Sequence, residues 1–209
     1  MKKSIRSLFS YRIIIYPVII LISCSKNDSN FYADGENKGL AIFSNTGNNL
    51  LTCFVGNKAW RTEDRITFIL GSSGPRYEID IAKQITNSSM DTLRFNWRGY
   101  FTPDRNSFGY LSLALPIEKN FGLRNLASFN GRRFKIDSTT GLFSFYSPTG
   151  SMNLTDGTGN IYFHKVTFDS ISPNFYIGTI SGIFDADFNA TKITKGRFDH
   201  NINSGNVWF

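Results

Sequence analysis

The sequence predicts an all-β fold, an antiparallel β-sandwich of about ten strands, and three observations carry that expectation. Among 209 residues there are 20 Phe, nine Tyr and 18 Gly, a composition suited to many short strands and the turns between them. Two runs alternate with period two. Tyr77, Ile79 and Ile81 oppose Glu78 and Asp80, and Leu93, Phe95 and Trp97 oppose Arg94, Asn96 and Arg98, which is the signature of half-buried antiparallel strands. No helical period runs for a normal helix length.

The elements follow in order. Residues 50–55, the Gly56-Asn57 turn and Ala59-Trp60 form a hairpin signal, with Trp60 expected to close one end of the core. Strand-like runs at 65–70, 76–83, 92–101 and 108–115 are separated by Gly71-Ser72-Ser73-Gly74-Pro75, Asn87-Ser88-Ser89 and Pro103-Asp104-Arg105-Asn106. Residues 116–126 do not alternate and read as irregular or as a short helix. Asn130-Gly131 turns the chain into 132–136. Runs at 142–146, 160–169, 175–189 and 192–202 complete the set, and Asp156-Gly157-Thr158-Gly159-Asn160 between them is expected to be a plain turn. It lacks the glutamate and most of the oxygens of a calcium loop. In the closing hairpin Phe184, Ala186 and Phe188 share a face that Phe198 and Ile202 meet across the ladder. The same strands could instead close as a lipocalin-like up-and-down β-barrel.

Ahead of this domain lies an address. Lys2, Lys3, Arg6 and Arg12 precede an apolar run from Ile13 to Ile22, the layout of a secretory signal. The run is far shorter than the roughly 20 residues that cross a bilayer. Leu21-Ile22-Ser23-Cys24 resembles a bacterial lipobox, which implies a signal peptide at 1–23 and lipid attachment, palmitate included, at Cys24. The polar, Gly/Asn-rich stretch 24–49 is then a flexible tether, within which Leu40-Ala41-Ile42-Phe43 could dock as an extra strand. The all-β domain occupies 50–209.

The formal charge of +7 needs correcting for this address. Four of the 23 basic residues and none of the 16 acidic ones precede Cys24, leaving 19 against 16 and a net +3. So mild a balance argues against nucleic acid as a partner. Cys53 is the one cysteine after Cys24, so an internal disulfide is excluded, and with no activating neighbour it reads as a small buried hydrophobe.

The stretch Cys53-Phe54-Val55-Gly56-Asn57-Lys58-Ala59-Trp60, Ser181-Gly182-Ile183-Phe184, and Lys192-Ile193-Thr194-Lys195-Gly196-Arg197-Phe198-Asp199 resemble a group of uncharacterised lipoproteins of the Bacteroidota. Those share a cysteine, turn and Trp opening and a closing Gly-Arg-Phe-Asp strand. Gly56-Asn57 stands where that group more often has Asn-Gly. The resemblance implies an exported all-β domain in the outer membrane or at the cell surface and names no ligand.

The sequence offers little catalytic chemistry. His164 and His200 have no second ligand at metal spacing, and nucleophile elbows, phosphate loops and zinc-helix motifs are lacking. No catalytic, cofactor or metal residues are therefore assigned. The pairs Glu78/Asp80 and Asp185/Asp187 read as solvated strand faces, and a glycoside hydrolase would need a second carboxylate across a cleft. His200 follows Phe198 onto the apolar face and reads as a hydrogen-bonded interior histidine. The candidate contact surface is Arg94, Arg98 and Tyr100 on one strand face with Arg105 in the next loop, since Arg and aromatic side chains anchor interfaces and stack on sugars. Asp91-Thr92-Leu93, Asp137-Ser138-Thr139 and Asp169-Ser170-Ile171 resemble Bacteroidota O-glycosylation acceptors, placing Thr92, Ser138 and Ser170 at exposed strand ends or loops. Two functions stand: a non-catalytic binding or structural lipoprotein for a glycan or protein partner, and a carrier barrel with an apolar ligand inside.

Overall fold

The computed structural model describes residues 32–62, 79–104, 106–148, 152–172, 175–205 and 207–209. Expectations for 24–31, the 65–70 strand, Tyr77, Glu78 and Arg105 lie outside these residues. Within them the chain is all-β apart from one 3-10 helix.

The strands are β1 (Leu50–Val55), β2 (Lys58–Thr62), β3 (Ile79–Gln84), β4 (Asp91–Phe101), β5 (Phe108–Ile117), β6 (Arg133–Ile136), β7 (Leu142–Ser147), β8 (Met152–Ser172), β9 (Phe175–Asp187), β10 (Lys192–Asn203) and β11 (Val207–Trp208), with the 3-10 helix at Leu123–Phe129. They form one sheet, in which β4-β2-β1-β10-β9-β8-β7-β5 is closed by a β4–β5 ladder. The sandwich expectation is thereby corrected: the sheet is an eight-stranded antiparallel barrel with extra strands. Two stacked sheets would leave four edges, whereas closure leaves the main ring none.

Two of the extra strands are continuations. Against β4, β2 ends at the pair Thr62↔Gly99 and β3 resumes at Ile79↔Trp97, so both lie along one edge as a single interrupted strand. In the same way β6 (Ile136↔Gly159) and β7 (Phe143↔Gly157) share an edge of β8. The break between them is the turn at Asp137, whose side chain accepts from the N–H groups of Thr139 (3.0 Å) and Thr140 (3.1 Å). Counted this way the ring runs in chain order, up and down.

Alternation sets the inner face. Leu93, Phe95, Trp97, Leu111, Leu113, Phe143, Phe145, Ile161, Phe163, Ile180 and Phe198 are almost wholly buried. Phe143, Phe184, Trp97, Phe95, Phe163, Phe198 and Phe129 form a continuous series of ring contacts with centroids 5.2–6.4 Å apart. Each such ring contributes about 1.5–3 kcal/mol by burial alone. Phe129 and Leu126 enter this core from the 3-10 helix, and Trp60 sits edge-on to Phe145 at 5.7 Å.

Rings fit because glycines face them. Added Cβ atoms at Gly182, Gly196 and Gly157 would fall 2.6, 2.5 and 2.3 Å from the rings of Phe198, Phe184 and Phe188. This explains a second correction. The stretch 156–160 is no turn but the interior of β8, with a bulge where Asp156 takes φ 58° and the β7 register shifts. Its glycines mark close approach rather than chain reversal.

The third correction concerns the tether. Residues 32–49 pack as a strap on the outside of the barrel, with Leu40 fully buried and Ala41 4 % exposed. Ala41 forms an isolated bridge with Ala33 and its N–H donates to Thr52 Oγ1 of β1, so the patch packs on the barrel without becoming the extra strand expected of it. Asp199 of β10 accepts from the N–H groups of Thr46 (3.1 Å), Gly47 (2.8 Å) and Asn48 (3.1 Å). Arg197 pairs with Asp34 at 2.7 Å and donates to the Ala41 carbonyl at 2.6 Å. Lys165 of β8 donates to the Asn45 carbonyl. These contacts span 120–163 residues of sequence, so composition alone could not announce them.

Candidate contact surface

Outward-facing residues of β4, β5 and β7 line up by register. One row is Arg98, Tyr110 and Tyr146, and the next is Asn96, Ser112 and Ser144, to which β3 adds Asp80. Tyr110 is 38 % and Tyr146 50 % exposed. The Arg98 guanidinium lies 5.5 Å from the Phe108 ring centre, and Phe108 meets Tyr110 edge-on at 5.9 Å. Ser112 Oγ donates to Asn96 Oδ1 at 2.7 Å. Burial raises the Asp80 carboxyl above its ordinary range. Side by side, then, stand an aromatic strip held by its neighbours and a polar strip with donors and acceptors.

The expected surface is brought together only in part. Arg94 and Arg98 do face outward from β4, but Arg94 is half-buried and its Nε has no partner among the described residues. Tyr100 is corrected: it is 6 % exposed, because Arg61 of β2 covers it, donating from Nε to the phenol oxygen at 2.7 Å with its guanidinium 5.2 Å from the ring centre. Tyr110 and Tyr146 were not singled out from the sequence. Phe108-Gly109-Tyr110 and Phe145-Tyr146 do alternate in and out, but only the β5–β7 ladder makes the two tyrosines neighbours.

The other singled-out residues serve the fold. The Asp91 carboxylate is 2 % exposed and takes Lys119 at 2.8 Å and Lys83 at 3.4 Å. Its pKa is held down first by Lys119 and then by the Thr86 N–H. Thr92 beside it is half-buried between Gln84 and Pro116, which corrects the expectation of an exposed strand end. Ser138 is exposed on the Asp137 turn. Ser170 lies on β8, with its side chain outside the described ones.

Asp185 accepts from Asn160 at 3.4 Å, and Asp187 pairs with Lys192 at 3.0 Å, so this carboxylate pair is engaged on a wet face. Among the described residues no three His, Cys, Asp or Glu side chains group as a metal site. Cys53 is fully buried and burial pushes its thiol upward.

His200 is interior, as expected, but not hydrogen-bonded: neither ring nitrogen has a partner among the described residues. Burial drives its pKa down to about 3. His164 is instead exposed on β8, edge-on to Phe43 of the strap at 5.3 Å.

Comparison with known families, curated proteins and solved structures finds no match to this chain.

Proposed function

We propose that the chain is a non-catalytic binding lipoprotein of the outer membrane or cell surface, anchored by lipid at Cys24, whose barrel contacts a glycan through the outer wall of β4, β5 and β7. The row Arg98–Tyr110–Tyr146 carries this reading. Two cross-strand tyrosines offer rings to a sugar face, Arg98 and the adjoining polar row offer donors and acceptors, and all lie on rigid strands. The lipid anchor keeps its support from the sequence alone, in the ordered basic segment, apolar run and Ser23-Cys24. Of the two glycosylation candidates whose side chains are described, Thr92 and Ser138, Ser138 is the one exposed to a modifying enzyme.

Affinity electrophoresis against soluble polysaccharides tests the wall. Retardation of the wild type that is lost in both Tyr146→Ala and Arg98→Ala supports it. Retardation that survives both, or capture by a protein ligand indifferent to sugars, overturns it.

The closed up-and-down barrel also suits the carrier reading, since that topology is the one a central ligand needs. Against it stand the interior rings, which touch one another where a ligand cavity of about 300 Å³ or more would be required.

A further inference from the structure

We infer that the strap wall of the barrel, around Tyr32, Ile42 and Phe43, rests on an anionic bilayer surface, so that the β4–β5 wall points away from the membrane. The inference rests on the Cys24 anchor proposed above and adds an orientation to it.

The first argument is length. Tyr32 is already held to the fold, its carbonyl accepting from the Ile42 N–H at 2.8 Å. Only eight residue steps separate it from Cys24, at most about 28 Å when fully extended. So short a leash favours orientations in which the strap wall, from which it leaves, turns toward the headgroups.

The second argument is what that wall displays. Where the leash enters, Tyr32 is 64 %, Ile42 56 % and Phe43 37 % exposed. The apolar strip continues over the sheet through His164 and Tyr162, which meet at 6.1 Å, to Ile183, paired with Tyr162 and 45 % exposed. Cations border it: Arg133, 6.0 Å from the Tyr162 ring centre, and exposed Lys38, Lys135 and Lys195. Glu36 and Asp185 are exposed acids on this side, Asp187 further along β9 is paired with Lys192, and Asp34 is already paired with Arg197. Aromatic and aliphatic side chains ringed by Lys and Arg suit the interface of an anionic membrane.

The third argument is geometry. Around the eight-stranded ring β10 is four strands from β5 in either direction. The strap therefore lies opposite the Arg98–Tyr110–Tyr146 row, and contact of one wall with lipid leaves the other free for a large partner.

The test uses the full lipidated protein in vesicles of phosphatidylethanolamine and phosphatidylglycerol, with an environment-sensitive dye on Ile42→Cys or on Tyr110→Cys. Cys53 is fully buried and Cys24 is acylated, so the new thiol takes the label. Contact with the vesicles should blue-shift the dye at 42 and bromine-bearing lipids should quench it, and neither should change the dye at 110. Replacing phosphatidylglycerol by phosphatidylcholine should reduce the quenching at 42. Intact mass is read first. An unacylated Cys24 overturns the anchor and this orientation together, whereas an acylated Cys24 with no quenching at 42 overturns the orientation alone. A dye at 42 that is shielded from aqueous iodide yet untouched by brominated lipid also overturns it, in favour of a protein cover.

Discussion

Phe198 of β10 sits directly opposite Gly182 of β9, and a Cβ at position 182 would fall 2.6 Å from the Phe198 ring and 2.2 Å from the Tyr162 carbonyl oxygen. Ring and glycine are thus two halves of one packing unit, filling the barrel at native density. Gly182→Ala should cost about 1–3 kcal/mol by overpacking. Phe198→Ala should cost about 3–5 kcal/mol, because it empties a site touched by Trp97, Phe163 and Phe184. Urea melts of both variants measure this, and a wild-type midpoint for Gly182→Ala would contradict the packing described.

The strap should behave as part of the domain. Asp199→Ala leaves three strap N–H groups without their acceptor, which on ordinary hydrogen-bond energetics costs about 1–3 kcal/mol. Hydrogen exchange at Thr46, Gly47 and Asn48 should accelerate in that variant before the barrel amides do. Unchanged protection at those three positions would mean that the strap is held by something else.

His200 makes stability pH-dependent. Its ordinary pKa is 6.5 and the folded value is about 3, so between those limits the unfolded chain binds a proton that the folded chain refuses. Stability is complete above pH 6.5 and falls as the pH drops toward 3, by up to about 5 kcal/mol at a limiting slope of about 1.4 kcal/mol per unit. The carboxyls held below their ordinary value of 3.8, Asp34 and Asp91 among them, act only at the acid end. Among the described residues with a shifted pKa, His200 carries the loss between pH 6 and 4.5, while Asp80, held above 3.8 by burial, acts in the opposite direction. Melts of wild type and His200→Leu across that range should diverge in slope, with the variant flatter, and parallel curves would remove the histidine from the account.

On the outer wall the expectation is reversed. Arg98→Ala and Tyr146→Ala should each lie within about 0.5 kcal/mol of wild type while losing retardation by the glycan. A variant that loses stability and binding together would point to a structural role.

For the proposed anchor, Cys24→Ala should abolish incorporation of a fatty-acid probe, because it removes the thiol to which the proposal assigns the lipid. The wild type should stay with membranes in high salt, since acyl chains on sulfur and nitrogen exceed the two signals needed for stable anchoring. Undiminished labelling of the variant would refute the assignment.

The sequence by itself determined the inside and outside of the strands. Leu93, Phe95 and Trp97 are buried and Arg98 is exposed because period two is a local property of an extended chain. It also determined that β9 and β10 form a hairpin, although Phe198 and Ile202 pair with Gly182 and Gly178 rather than with Phe184, Ala186 and Phe188, and it determined the Gly56-Asn57 turn, where Gly56 takes φ 61° at the first central position, as a two-residue hairpin loop of this kind requires. In the closing motif each residue has a place: Gly196 admits the Phe184 ring, Arg197 and Asp199 hold the strap, and Phe198 fills the core.

Tertiary structure alone decided what the strands close into. Sandwich and barrel share one in/out pattern and differ in which edges pair. The deciding ladders, β1 with β10 and β5 with β7, join residues that no local periodicity relates. The same holds for β2 and β3, which lie in line along one edge of β4, and for Tyr110 and Tyr146, which become a surface only across a ladder. Glycines at 157 and 159 read locally as a turn because their reason for being there, the Phe188 ring and the Asp185 carbonyl, arrives from β9 and the residue just beyond it. The strap looks like a linker for the same reason: its few apolar side chains are too little for a core of their own, and the acceptor that orders it, Asp199, lies some 150 residues away.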